Sequence, residues 1–129
     1  MADRCMTKFS ARYSVGQTPE GVIADLDDGG LLLRYRTETG VDGISGDEHP
    51  FLACSFWLVS ALAIVGEQQR AHDLMERLLR IASPLGLYAE EFDVATGRHL
   101  GNFPPAFSHL ALIEAAGRII AAEMIAELS

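Results

Sequence analysis

A chain of 129 residues has room for one domain, or for a piece of a larger one. Its 49% hydrophobic content is enough for a modest core, and 18 acidic against 10 basic residues leave a net charge of −8, which argues against nucleic acid or an anionic membrane as partner. No apolar run reaches the roughly 20 residues of a spanning helix. The N-terminus carries no apolar leader, and Cys5 and Cys54 stand in unlike contexts without metal spacing. The expectation is therefore a cytoplasmic chain with two free thiols, no metal and no cofactor.

Residues 1–17 have little periodicity and read as an irregular N-terminal arm ahead of a domain over 18–129. Thr18-Pro19-Glu20 is a helix start: a hydroxyl at the N-cap, proline in the first turn, and an acid near the positive end of the dipole. That helix stops before Asp27-Asp28-Gly29-Gly30, and 31–35 reads as a short extended segment before a glycine-bearing loop over 39–47. The next helix is expected over about 50–65, capped by Asp47 or Glu48 and ended by Gly66. It is apolar all round, so it must be buried on most of its surface. The helix after it, over about 67–82, is of another kind. Ala71, Leu74, Leu78 and Ile81 form one stripe, with Met75 and Leu79 beside it, while Asp73 with Arg77 and Glu76 with Arg80 are acid-before-base pairs on the wet side. A buried helix followed by an amphipathic one predicts an inner and an outer layer joined by a tight turn. A last helix over about 105–128 has Leu110, Ile113, Gly117 and Ile120 on its apolar side. The fold class is all-α, built from helical hairpins.

Chemistry concentrates between the last two helices. Gly86-Leu87-Tyr88-Ala89-Glu90-Glu91-Phe92-Asp93 places a carboxylate pair in a short loop among aromatics, followed by Thr96-Gly97 and by Gly101-Asn102-Phe103-Pro104-Pro105-Ala106-Phe107-Ser108-His109-Leu110. Together with Leu33-Arg34-Tyr35-Arg36, Gly40-Val41-Asp42-Gly43 and the run from Pro50 to Leu58, these blocks come in the order and at the spacing of a known family. The stretch from about Gly30 to Ile120 resembles the C-terminal part of the catalytic domain of the glucoamylase and trehalase-like inverting glycoside hydrolases, in their bacterial and archaeal branch. The resemblance implies part of an (α/α)6 barrel. It also implies carbohydrate chemistry in which a general acid protonates the leaving oxygen and a general base activates water on the opposite face. By the resemblance Glu90 is the general base, Arg34 matches an arginine that binds sugar hydroxyls, and Phe51 falls near an aromatic that lines the sugar sites. On their residues alone, Glu90 also reads as an exposed loop carboxylate, Arg34 as a surface partner of Asp42 or Glu38, and Phe51 more readily as a core residue, while Glu91 reads as a substrate-side neighbour that shapes the electrostatics or as a solvated acid. Asp42 and His109 lie in matched blocks without individual roles.

The family's general acid belongs to an upstream Trp-Glu motif, whereas Trp57 is the only tryptophan here and sits in the apolar helix. The expectation is a truncated member, inactive alone. An α-glucoside or oligosaccharide would bind only once a homo-oligomer or a partner chain completes the barrel. An open flank on the helix over 50–65 would then drive association. The alternative is a non-catalytic all-α interaction or scaffold module, or a saccharide-binding relic. Other polar residues read as structural. Asp47-Glu48-His49 are too close in sequence to converge on one ion, His72 and His99 are read as solvated, Ser108 lacks a nucleophile elbow, and Cys54 is inert packing.

Overall fold

The computed structural model describes residues 18–33 and 48–129. The expected arm over 1–17, the loop over 39–47, and with them Arg34 and Asp42, lie outside the described residues. In chain order the elements are helix α1 (Pro19–Leu26), strands β1 (Asp27–Asp28) and β2 (Leu31–Leu32), helices α2 (Leu52–Ile64) and α3 (Gln68–Arg80), strands β3 (Glu91–Asp93) and β4 (Arg98–Leu100), and helix α4 (Ala106–Leu128). The chain is mostly helical, as expected for an all-α fragment, and two short β-hairpins join the helices.

Local chemistry explains the first elements. Thr18 caps α1, its hydroxyl accepting the Gly21 N–H at 3.3 Å, with Pro19 in the first turn. Asp28 pairs with Leu31 across a two-residue turn in which Gly29 and Gly30 have φ of 59° and 84°, a conformation that favours glycine. The Gly29 carbonyl accepts from the Arg77 guanidinium. Arg77 is thus engaged with the turn, and Asp73 accepts instead from Gln69 at 2.9 Å. Of the two expected helix-surface pairs, Glu76 with Arg80 forms, at 2.7 Å. Arg70 ties α3 to α1 through Glu20 at 2.7 Å and holds that carboxyl below its ordinary range.

The α2–α3 hairpin has the expected inner and outer layers. Its turn is closed by Gly66 N–H to Ala63 O and Glu67 N–H to Leu62 O, with Gly66 at φ 88°, a Schellman arrangement. The start of α2 differs from expectation. The helix begins at Leu52, Phe51 is its extended N-cap, and no side chain caps it. Pro50 and Phe51 are drawn out of the helix because they bridge the two hairpins: Leu33 pairs with Pro50, and Phe51 with Glu91. Ser55, wholly buried on α2, accepts the Leu32 N–H at 3.0 Å and fastens β2 to the helix.

The apolar surface also lies elsewhere than expected. α2 is enclosed by α3, α4 and β2 and leaves Ile64 and Val65 as its large exposed apolar side chains. The open stripe is on α4. Leu110 and Ile113, read from the sequence as core-facing, are 63% and 66% exposed, and Ile120, Met124 and Leu128 continue their line. The buried residues of α4 are Ser108, Ala111, Ala115 and Ile119, and α2 is the helix it meets most closely. Small side chains let two helix backbones approach closely, so α4 carries two apolar faces, an inward one mostly of small residues and an outward one of large. Ala115→Leu is therefore expected to destabilise the chain by about 1–3 kcal/mol through overpacking, and Ile113→Ser to change stability by no more than about 0.5 kcal/mol. Urea unfolding of both variants checks the assignment of faces.

Candidate functional site

The strands place the carboxylate loop. Leu52 N–H donates to Glu90 O at 3.0 Å and Phe92 N–H to Pro50 O at 3.0 Å, so the lead-in to α2 and the start of β3 hold each other. On the other side β3 pairs with β4 in the register Glu91–Leu100, Phe92–His99 and Asp93–Arg98. The hairpin tip is closed by Asp93, which accepts from the Ala95 and Thr96 N–H groups and from the Thr96 hydroxyl. The Thr96 hydroxyl is the chief cause of an Asp93 carboxyl lowered from its ordinary range.

Each backbone N–H from Leu87 to Glu90 has a partner. Leu87 donates to the Ser83 hydroxyl at 3.1 Å, Tyr88 to His109 Nε2 at 3.3 Å, Ala89 to His99 Nδ1 at 3.1 Å, and Glu90 to Asn102 O at 2.9 Å. The Ser108 hydroxyl, fully buried, donates to Ala89 O at 3.1 Å, which gives it a structural task. Tyr88 anchors the loop from beneath. Its side chain is 1% exposed, its hydroxyl donates to Leu78 O at 2.8 Å, and its ring meets Phe56 edge-on at 5.3 Å. Burial pushes the Tyr88 phenol up.

The Glu90 side chain is half-buried and lies against the backbone at Gly101 and Asn102. A Cβ at Gly101 would come within 3.1 Å of Glu90 Oε2, and Gly101 has φ 75°. The positive φ favours glycine there, and a Cβ would also crowd the Glu90 carboxylate. The loop thus presents one carboxylate, partly open to solvent, on a backbone with no unpaired N–H.

The other candidate residues fall as follows. Glu91 is half-buried at the start of β3, paired with Leu100 and bridged to Phe51. Phe51 is only 5% exposed, its ring 6.2 Å from that of Phe107. It is packed into the core next to the loop, with little face open for a sugar to stack on. Trp57 is half-buried and edge-on to Phe107 at 5.2 Å. His72 and His99 are not merely solvated. His72 reaches Glu123 at 2.9 Å and ties α3 to α4, and His99 is half-buried among Tyr88, Phe92 and Phe103. The tasks of His99, Gly101 and Ser108 were not legible from the motif. The available signal was their place in the matched blocks around Glu90.

Comparison with known proteins bears on this loop. Residues 64–117 match the model of the glycosyl hydrolases family 15, a stretch that includes Glu90, Glu91, His99 and His109. A trehalase of Mycolicibacterium smegmatis is 60% identical over 108 residues, which is 83% of this chain and 16% of that protein. In sequence, this chain is a segment of the glucoamylase/trehalase-like glycoside hydrolase family. A trehalase of Mycobacterium tuberculosis is 55% identical over 115 residues, covering 89% of the chain and 17% of the relative. A trehalase of Thermoplasma volcanium is 42% identical over 92 residues, or 71% of the chain and 14% of that protein. The family segment therefore spans about one sixth of the length of the first two of these relatives. No solved structure matches it significantly. The family's domain is an (α/α)6 barrel, and the inner α2 with the outer α3 is one hairpin of the kind such a barrel repeats. Among the described residues no helix is long and apolar enough to cross a membrane.

Proposed function

We propose that this chain carries the general-base segment of an inverting α-glucoside hydrolase, with Glu90 as the base. The observation that carries the reading is the placement of the Glu90 carboxylate: half-open, on a loop whose N–H groups from 87 to 90 are all bonded, within the stretch shared with glycosyl hydrolases family 15. In the reaction Glu90 takes a proton from water as the water oxygen bonds to the anomeric carbon. The glycosidic bond breaks on the opposite face, where an acid protonates the departing oxygen. That acid is assigned to residues outside this segment, so the chain alone is proposed to be inactive. The trehalases among its relatives support trehalose as the first substrate to try, with maltose beside it. Arg34 is proposed as a contact to the sugar hydroxyls, and Glu91 as a neighbour that shapes the field around the base. A reducing cytoplasm is the proposed setting.

The α4 stripe supports a partner. Leu110, Ile113, Ile120, Met124 and Leu128 are exposed at helical spacing, and unpartnered apolar stripes of this kind mark association. We assign the stripe to contact with further barrel helices, from a second copy or from a partner chain. Light scattering on the purified chain should show self-association that Ile113→Ser with Ile120→Ser reduces, and a monodisperse wild-type monomer would remove the homo-oligomer. Hydrolysis assays on trehalose and maltose, run on this segment completed by the remaining barrel helices of a full-length relative and with Glu90→Gln alongside, test the base. Glucose release that survives the substitution would overturn the assignment.

A further inference from the structure

Two histidines hold the base loop by the same trick with opposite rings. A backbone N–H can only donate, so the nitrogen facing it must be unprotonated. His99 presents Nδ1 to the Ala89 N–H at 3.1 Å, and its Nε2 lies 2.7 Å from Ile81 O. His109 presents Nε2 to the Tyr88 N–H at 3.3 Å, and its Nδ1 lies 2.7 Å from Pro105 O. Carbonyl oxygens only accept, so the proton of His99 sits on Nε2 and that of His109 on Nδ1. Each ring uses both nitrogens, and each is neutral. The two N–H groups they receive are consecutive and lead directly into Glu90. Both rings also lie against the Tyr88 ring, at 6.2 and 5.9 Å between centroids, so they grip the loop from β4 and from α4.

We propose that His99 and His109 are positioning residues for Glu90, acting as neutral imidazoles of opposite tautomer that accept the Ala89 and Tyr88 amides. Neither touches substrate or the reacting atoms. They act through the loop backbone, where the Ser108 hydroxyl on Ala89 O and the Asn102 carbonyl on the Glu90 N–H complete the hold. No other side chain type fits both rings' tasks unchanged, but each half has a mimic: the amide oxygen of asparagine falls near Nδ1, and that of glutamine near Nε2. The importance of the pair for catalysis rests on the reading of Glu90 as base, whereas the clamp itself does not.

The test uses the 129-residue chain labelled with nitrogen-15. Long-range proton–nitrogen spectra of the imidazoles at neutral to mildly alkaline pH should show His99 protonated on Nε2 and His109 on Nδ1. The same tautomer in both rings, or the reverse pair, would overturn the proposal without any variant. Amide exchange supplies the second arm. His99→Leu and His109→Leu should speed exchange at Tyr88, Ala89 and Glu90 by about tenfold or more, while α2 amides stay protected. His99→Asn and His109→Gln should restore slow exchange. Leucine variants that exchange like the wild type, or amide variants that exchange like the leucine ones, would also overturn it. Glu90→Gln should leave the whole exchange pattern in place, so a failed base shows in hydrolysis by a completed barrel that carries this segment and a failed clamp in the spectra.

Discussion

Tyr88→Ala is expected to cost about 3–5 kcal/mol, the range for removing a large buried aromatic side chain. Tyr88 is among the largest fully buried side chains and touches α2 through Phe56, α3 through the Leu78 carbonyl, and the two loop histidines through its ring. Its loss leaves a cavity where the helices and the β3–β4 hairpin meet, and it strips the Leu78 carbonyl of its phenol donor. Small domains have about 5–15 kcal/mol in all, so this one change takes a large share of the margin. Tyr88→Phe keeps the ring and loses only the hydroxyl, for about 0.5–1.5 kcal/mol. Chemical denaturation of the two variants separates the packing contribution from that of the hydrogen bond. Equal losses would mean that the ring contributes little.

Glu90→Gln is the substitution expected to act on function alone. The side chain keeps its shape and its place beside Gly101, where a Cβ would already crowd it at 3.1 Å. What it loses is the capacity to take a proton. Grafting this segment into the trehalase of Mycolicibacterium smegmatis, in place of the 108 residues it matches at 60% identity, supplies the remaining helices of a full-length enzyme. An active chimera should lose about 10²–10⁴-fold in kcat on Glu90→Gln, the usual worth of general acid–base help. KM should change little, because the amide keeps the shape of the carboxylate. The glucose freed from the non-reducing side of maltose should appear first as the β-anomer, as inversion demands. A chimera that is active and indifferent to Glu90→Gln would place the base elsewhere.

The two substitutions depend on different parts of the structure, and the difference reflects how the loop is made. Tyr88 and Glu90 are two residues apart, yet one is sealed among helices and the other is half-open. Strands of only three residues would not hold such a loop alone. It stays in place because it is bonded on both sides, to the lead-in of α2 and to the β4–α4 connection.

Much of this was legible in the residues themselves. The Thr18-Pro19 start, the buried α2, the amphipathic α3 and the glycine at their turn follow from capping chemistry and 3.6-residue periodicity, which act within a few neighbours. The motif blocks pointed to Glu90 and to the family. The tertiary structure decided what depends on partners far apart in sequence. It drew Pro50 and Phe51 out of the helix into bridges with Leu33 and Glu91. It turned Arg77 away from Asp73 to a glycine carbonyl 48 residues away. It put Ala111, Ala115 and Ile119 of α4 inward and Leu110, Ile113 and Ile120 outward, because a helix apolar on two faces has no single direction for periodicity to report. It also converted His99 and His109 from unremarkable polar residues into acceptors for two adjacent amides, at separations of 10 and 21 residues. Local pattern specifies which segments are helical and which side chains carry chemistry. Which atoms meet is settled by long-range packing and by the need to satisfy each buried backbone group.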